Sequence, residues 1–192
     1  MLNQSKIDAM RQQLKTGVQV VSAPQLFPTP KELAERMAEE ILGGYPRAAN
    51  NFRILEPSAG TGVLIGACGA SWYPGGEFVA VEINHRLAND LESEFPLTMV
   101  TNRNFLEVDN LGLFDRIIMN PPFINGADIK HIKHAAMMLQ TGGILVAICA
   151  GGPRQKRELE PLASLWEPLP SGTFKDQGTN VNAVLMTIEQ GA

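Results

Sequence analysis

Apolar residues recur at helical spacing from the start of the chain: Ile7, Met10 and Leu14 fall on one face of Asn3 to Lys15, and Gly17 stands where such a helix would stop. This predicts an amphipathic helix laid on a core. Pro24, Pro28 and Pro30 then forbid a long helix and predict an extended, stiff lead-in, in which Thr29 caps a second helix with Pro30 in its first turn. Leu33, Met37, Ile41 and Leu42 mark that helix over Lys31 to Leu42, ended by Gly43-Gly44. Beyond it the period changes. Phe52 to Glu56, Glu77 to Glu82, Pro96 to Thr101, Phe114 to Asn120 and Gly143 to Ala150 are short strand-like runs, several rich in β-branched residues. Stretches able to form helices, such as Val63 to Ala70, separate most of them, which predicts an α/β fold with a mostly parallel sheet and helices on both faces. Arg154 to Trp166 reads as a further helix, Pro168 and Pro170 interrupt, and Val181 to Glu189 forms a last strand. No repeat, low-complexity tract or linker divides the chain, so one domain is expected over 1–192, with a helix and lead-in over 1–26 and the core over 27–192.

Composition agrees with a single core: 192 residues, 44% of them hydrophobic and 19% charged, bury enough apolar surface for one domain with little disorder. No apolar run approaches the roughly 20 residues of a membrane helix, and the N-terminus lacks the basic-then-apolar plan of a signal peptide. A cytoplasmic location and no membrane partner are expected. Cys68 and Cys149 lack the spacing of a zinc site or a disulfide framework and read as two buried thiols, and no metal is expected. The formal net charge of −4 means that contact with nucleic acid would rest on a local basic surface.

Candidate chemistry starts at Glu56-Pro57-Ser58-Ala59-Gly60-Thr61-Gly62, which follows the first strand and precedes a helix. Small residues there let backbone approach a ligand, and the helix start offers unpaired N–H groups; a plain glycine turn is the alternative. Glu82 ends the second strand about twenty residues later, where a carboxylate can accept from both hydroxyls of a ribose. Loop and acid together point to a nucleoside ligand.

In these features the sequence resembles the class I S-adenosylmethionine methyltransferases over about Phe27 to Ile188. The resemblance implies S-adenosyl-L-methionine as cofactor and a Rossmann-like methyltransferase fold, a mostly parallel seven-stranded sheet with an antiparallel last strand. It also implies that Thr173 to Glu189 forms the hairpin of the sixth and seventh strands. The family's loop matching Glu56, Pro57, Ser58, Ala59, Gly60 and Gly62 holds the methionine part of the cofactor, its acid matching Glu82 binds the ribose, and Ile83 would lie against the adenine. Phe27-Pro28-Thr29-Pro30 resembles the N-terminal cofactor motif, with Thr29 near the methionine carboxylate, an exposed proline turn being the alternative. At Asn104-Phe105 the family usually has aspartate before the phenylalanine; the Asn104 amide oxygen can still accept from the cofactor's exocyclic amine, while Phe105 is either core or a cofactor contact.

Asn120-Pro121-Pro122-Phe123 directly follows the apolar strand from Phe114, at the end of a strand where open α/β sheets hold ligands. A conjugated exocyclic amine is a poor nucleophile because its lone pair is delocalised. Accepting its hydrogens, as the Asn120 side-chain oxygen and the Pro121 carbonyl can, localises that pair. Paired prolines fix the carbonyl before substrate arrives, and Phe123 can stack on a flat ring. Transfer to such an amine is a direct displacement requiring neither a metal nor a covalent intermediate. The alternative is a strand-ending turn with Phe123 in the core. The tetrapeptide resembles the catalytic motif of amino-methyltransferases, with Asn120 also at the cofactor; its phenylalanine form is most familiar in enzymes acting on adenine N6, whereas glutamine methyltransferases usually carry tyrosine last.

For the substrate, Lys130, His131, Lys133 and His134 cluster after the motif, and Arg154, Lys156 and Arg157 follow the fifth strand. Lys130, Arg154 and Lys156 are candidates for phosphates flanking an extruded base, against the alternative of solvated helix faces; the two histidines read as surface residues. Phe174 matches loosely a second aromatic against the flipped base. No segment is long enough for a separate target-recognition domain, so a partner protein or a homo-oligomer is expected to help select the target, with DNA favoured and RNA as the alternative. A protein-glutamine N5-methyltransferase and a non-catalytic cofactor-binding subunit are the competing readings.

Overall fold

A computed structural model describes residues 27–42, 51–69 and 76–191; the expected helix from Asn3 to Lys15, Gly43-Gly44 and Ala70 lie outside these. Seven strands form one sheet: β1 (Arg53–Glu56), β2 (Glu77–Val81), β3 (Thr98–Thr101), β4 (Phe114–Met119), β5 (Leu139–Ala150), β6 (Leu165–Pro168) and β7 (Ala183–Glu189), in spatial order β3-β2-β1-β4-β5-β7-β6. β1 to β5 pair in parallel, while β7 runs antiparallel to both β5 and β6. This is the Rossmann-like arrangement expected from the sequence.

The strands read as nearly unbroken apolar runs because both sheet faces are covered. Successive residues enter different cores: Ile54, Phe78, Ala80, Ile118 and Ile148 pack under α1 (Lys31–Leu42), α2 (Val63–Ala67) and Leu91 of α3 (His85–Glu94). Leu55, Val79, Val81, Ile117 and Ala147 pack under α4 (Ala127–Ala136) and Leu159 of α5 (Pro153–Leu159). Cys68 and Cys149 are buried, and burial beside Asp128 pushes the Cys149 thiol up to about 12, which keeps it unreactive.

The carboxyl-terminal part differs from the sequence reading. The helix expected over Arg154 to Trp166 stops at Leu159, because Pro161 cannot extend an α-helical ladder, and a 3-10 turn (Glu160–Leu162) follows. Leu165 and Trp166 instead pair with Thr187 and Met186, so β6 precedes the segment in which the hairpin was expected. Residues 171–178 form consecutive turns between Gly172 and Gly178, whose φ values are 83° and 88°. Arg36 of α1 clasps Glu167 of β6 through two hydrogen bonds of 2.8 and 2.6 Å. Among the described residues, no helix is long and apolar enough to cross a membrane.

Strand order reverses between β1 and β4: the chain moves outward through β2 and β3 on one side and through β5 on the other. The loops leaving β1 and β4 therefore diverge and open a crevice at the carboxyl ends of the strands. The fully buried Asp128 braces one wall, its carboxylate accepting from the Ala150 N–H at 3.0 Å and from Gln155 Nε2 at 3.1 Å. That ties the start of α4 to the end of β5 and to α5.

Candidate functional site

β1 delivers Glu56 to the crevice, and the chain turns through Pro57 to Gly62 into α2. Gly60 and Gly62 have φ of 55° and 77°, the left-handed region that side chains rarely adopt. Gly62 lies beneath the loop against the core: a Cβ there would meet Phe95 Cε2 at 2.5 Å and Leu91 Cδ2 at 2.7 Å. Glu82, at the end of β2, holds the loop from the neighbouring strand. Its Oε2 accepts from the Gly60 N–H at 2.8 Å and its Oε1 from the Asn84 N–H at 2.7 Å. Asn102 supports it from below, donating to the main-chain carbonyls of Glu82 at 2.8 Å and Ile83 at 3.1 Å. Ile83 stands at the rim with 69% of its surface exposed, an apolar face ready to meet a flat ligand.

Farther along, Asn104 Oδ1 accepts from the Leu106 N–H at 3.2 Å and caps the 3-10 turn Phe105–Glu107. From β4 comes Asn120, whose Nδ2 donates to the Phe27 carbonyl and to Thr29 Oγ1, both at 3.1 Å. The cavity enclosed by these segments measures about 460 Å³, the scale of a small-molecule site. Its walls include Phe27, Thr29, Glu56, Pro57, Ser58, Ala59, Gly60, Glu82, Ile83, Asn104, Phe105, Asn120, Pro121, Pro122, Phe123 and Phe174. Phe174 is only 1% exposed and belongs to the core as well as to the wall.

Lys130, Arg154 and Lys156 do not line the cavity. Lys130 is exposed on α4, and Lys156 sits 3.8 Å from Glu160. Arg154 reaches the loop that follows Phe123, its Nη1 donating to the Asn125 carbonyl at 3.3 Å. Arg103, Thr179 and Val181, which the sequence does not single out, do form part of the wall.

The reading of His131 as a surface residue is corrected by its burial: it is 9% exposed, lines the cavity, and its Nδ1 lies 3.2 Å from Ser58 Oγ. Burial, with His134 adding to it, lowers its pKa to about 4, so the ring is neutral near pH 7. The helical period carried this signal, because Asp128, His131, Ile132 and Ala135 share one buried stripe of α4. His134 is half-buried and donates through Nε2 to the Val108 carbonyl at 2.8 Å.

Glu56 is 3% exposed, and its Oε2 has no hydrogen-bond partner. Desolvation pushes its carboxyl well above the usual 4.5, and nearby Glu82 adds to this, against a lowering by the Ile65 N–H. An orphaned carboxyl whose ionisation is disfavoured by burial, beside the cavity, suits a ligand that brings a cation or a strong donor. Because such a ligand favours the ionised form, its binding releases a proton, and affinity rises with pH until the free-state carboxyl has itself ionised. Calorimetry of cofactor binding in buffers of different ionisation enthalpy is expected to show up to about one proton released. Glu56→Gln is expected to remove that release; an unchanged release would place the proton elsewhere.

The family described as methyltransferase small domain matches residues 32–162. None of the curated proteins matches the chain. Among solved structures, the methyltransferase subunit of a type I restriction-modification system from Streptococcus thermophilus superposes with a TM-score of 0.72 at 18% identity, over 86% of this chain and 45% of its own. TrmN from Thermus thermophilus gives 0.63 at 17% identity, over 83% and 48%. The N-methyltransferase NodS from Bradyrhizobium japonicum, in complex with S-adenosyl-L-homocysteine, gives 0.62 at 14% identity, over 94% and 98%. The chain thus spans less than half the length of the first two, and all three likenesses concern the fold.

Proposed function

Because this chain belongs to the methyltransferase small domain family, we propose that it is an S-adenosylmethionine-dependent N-methyltransferase acting on the exocyclic N6 amine of adenine in nucleic acid, DNA before RNA. The observation that carries this reading is the state of Asn120: both amide hydrogens are taken by Phe27 and Thr29, and among the described residues nothing donates to its oxygen. An acceptor without a donor, at the end of β4 and on the cavity wall, matches what activation of a conjugated amine requires.

The cavity fits the cofactor: orphaned Glu56 Oε2 suits the methionine ammonium, Glu82 suits the ribose, exposed Ile83 the adenine face, and Asn104 its amine. S-adenosylmethionine supplies a methyl group on a sulfonium, an electrophile that asks of its acceptor only a localised lone pair. Asn120 Oδ1 and the Pro121 carbonyl accept the amine's two hydrogens and draw the nitrogen towards tetrahedral geometry. Phe123 stacks on the base, with Phe174 behind it as a fixed wall. Of Lys130, Arg154 and Lys156, Arg154 is the one beside the loop after Phe123 and is the candidate for a flanking phosphate. Structures named for restriction-modification and for RNA methylation share this fold, so the order DNA before RNA is what the polymer arms of the test below decide. Within this reading a partner protein or a second copy of the chain helps to select the target sequence.

The test offers labelled S-adenosylmethionine with duplex DNA, single-stranded DNA, total RNA and cell protein, and identifies the product by mass spectrometry. N6-methyladenine in DNA is the expected product. Label in RNA adenine would keep the chemistry and change the polymer, and label in protein glutamine would replace the reading.

A further inference from the structure

The Phe27–Thr29 segment does more than border the cofactor cavity, because it decides which end of the Asn120 amide faces the substrate. A carbonyl oxygen only accepts hydrogen bonds, so the amide atom 3.1 Å from the Phe27 carbonyl must be the NH2 nitrogen. Its second hydrogen is taken by Thr29 Oγ1, also at 3.1 Å. Thr29 is 6% exposed and lies two residues before α1, separated from it by Pro30, whose carbonyl accepts from the Ala34 N–H at 2.9 Å, so its backbone is fixed by a packed helix start. With the nitrogen anchored twice, the side-chain oxygen is committed to accept and cannot exchange places with the nitrogen. Aspartate at position 120 would set oxygen against the Phe27 carbonyl, which explains why an amide occupies this place.

We propose that Thr29 is a positioning residue for the transfer: together with the Phe27 carbonyl it locks the Asn120 amide so that the oxygen faces the amine to be methylated. This rests on the function proposed above and adds to it a residue that touches neither reacting atom. It also differs from a role confined to the methionine carboxylate, which would act on cofactor affinity alone.

The variants Thr29→Val, which keeps the volume and removes the acceptor, and Thr29→Ser, which keeps the acceptor, separate these roles. At saturating cofactor, Thr29→Val is expected to lower kcat by roughly ten-fold, the scale of one lost hydrogen bond. Its cofactor Kd is expected to change less than about three-fold, and Thr29→Ser to restore kcat to within about two-fold. A rise in cofactor Kd with kcat intact would overturn the proposal, as would failure of serine to rescue.

A second readout does not depend on any substrate being known. In the 15N spectrum of the unmutated protein, the Asn120 side-chain NH2 is expected to show two protected, inequivalent hydrogens. In Thr29→Val one of the two is expected to lose protection. If no polymer is methylated yet the NMR signature appears, the amide lock stands and the proposed reaction fails. If methylation proceeds and the signature is absent, the lock fails alone.

Discussion

Gly62→Ala is expected to lower the unfolding free energy by about 2–5 kcal/mol and to abolish cofactor binding near the melting midpoint. Two terms add. A non-glycine residue at a φ of 77° bears roughly 1–2 kcal/mol of backbone strain. The new methyl would also stand 2.5 Å from Phe95 Cε2 and 2.7 Å from Leu91 Cδ2, in a core where forced repacking costs typically about 1–3 kcal/mol. Neither neighbour has room to retreat, since Phe95 and Leu91 are 6% and 1% exposed. Gly142→Ala is the control: its φ is 76°, but nothing lies within 4 Å of the added carbon. Its loss is expected to stay near the strain term alone. Equal destabilisation of the two variants in denaturant titrations would show that loop strain, and not the close approach of the loop to Phe95, is what requires glycine at 62.

Much of this architecture is legible in the chain because both sheet faces are buried. Runs such as Ile117-Ile118-Met119 and Leu145-Val146-Ala147 have to be strands covered on two sides. Order then follows from the alternation of strands with helices, and the crevice from the reversal between β1 and β4. The Glu56–Gly62 loop, Glu82 and the Asn120–Phe123 tetrapeptide are legible for a different reason: each sits at a strand end, where short-range order in sequence becomes proximity in space. Where long-range pairing overrides local preference, the signal fails. Leu165-Trp166 has helix-compatible neighbours, and only β7, some twenty residues later, makes it a strand. Position relative to the crevice fails likewise for charged residues: Lys156 stands two residues from Arg154 and Lys130 seven residues after Phe123, but of the three Arg154 reaches the loop after the motif. His131 was readable, since its place on the buried stripe of α4 follows from spacing alone; what spacing does not reveal is that Ser58, from another loop, lies at its Nδ1.

Asn120→Ala is expected to reduce kcat by 10²- to 10³-fold, about 3–4 kcal/mol of barrier, which is the usual consequence of deleting a group aimed at developing charge in a dry site. The effect exceeds that of Thr29→Val because it removes the acceptor itself, whereas valine only lets the acceptor wander. Stability is expected to fall by about 2 kcal/mol or less: the two hydrogen bonds lost are worth about 1 kcal/mol each, and of the groups left behind the carbonyl of exposed Phe27 can turn to water. Loss of rate without loss of fold is therefore the signature, read as kcat at saturating substrate and cofactor beside a thermal melt of the same preparation. A parallel rise in the substrate KM with kcat preserved would mean that Asn120 binds the amine equally in ground and transition states and does not activate it. A kcat within about three-fold of the unmutated protein would remove Asn120 from the chemistry and leave the Pro121 carbonyl to act alone. The experiment is decisive because, among the described residues, the amide nitrogen is engaged by Phe27 and Thr29 while nothing donates to its oxygen, which leaves that oxygen to meet a substrate.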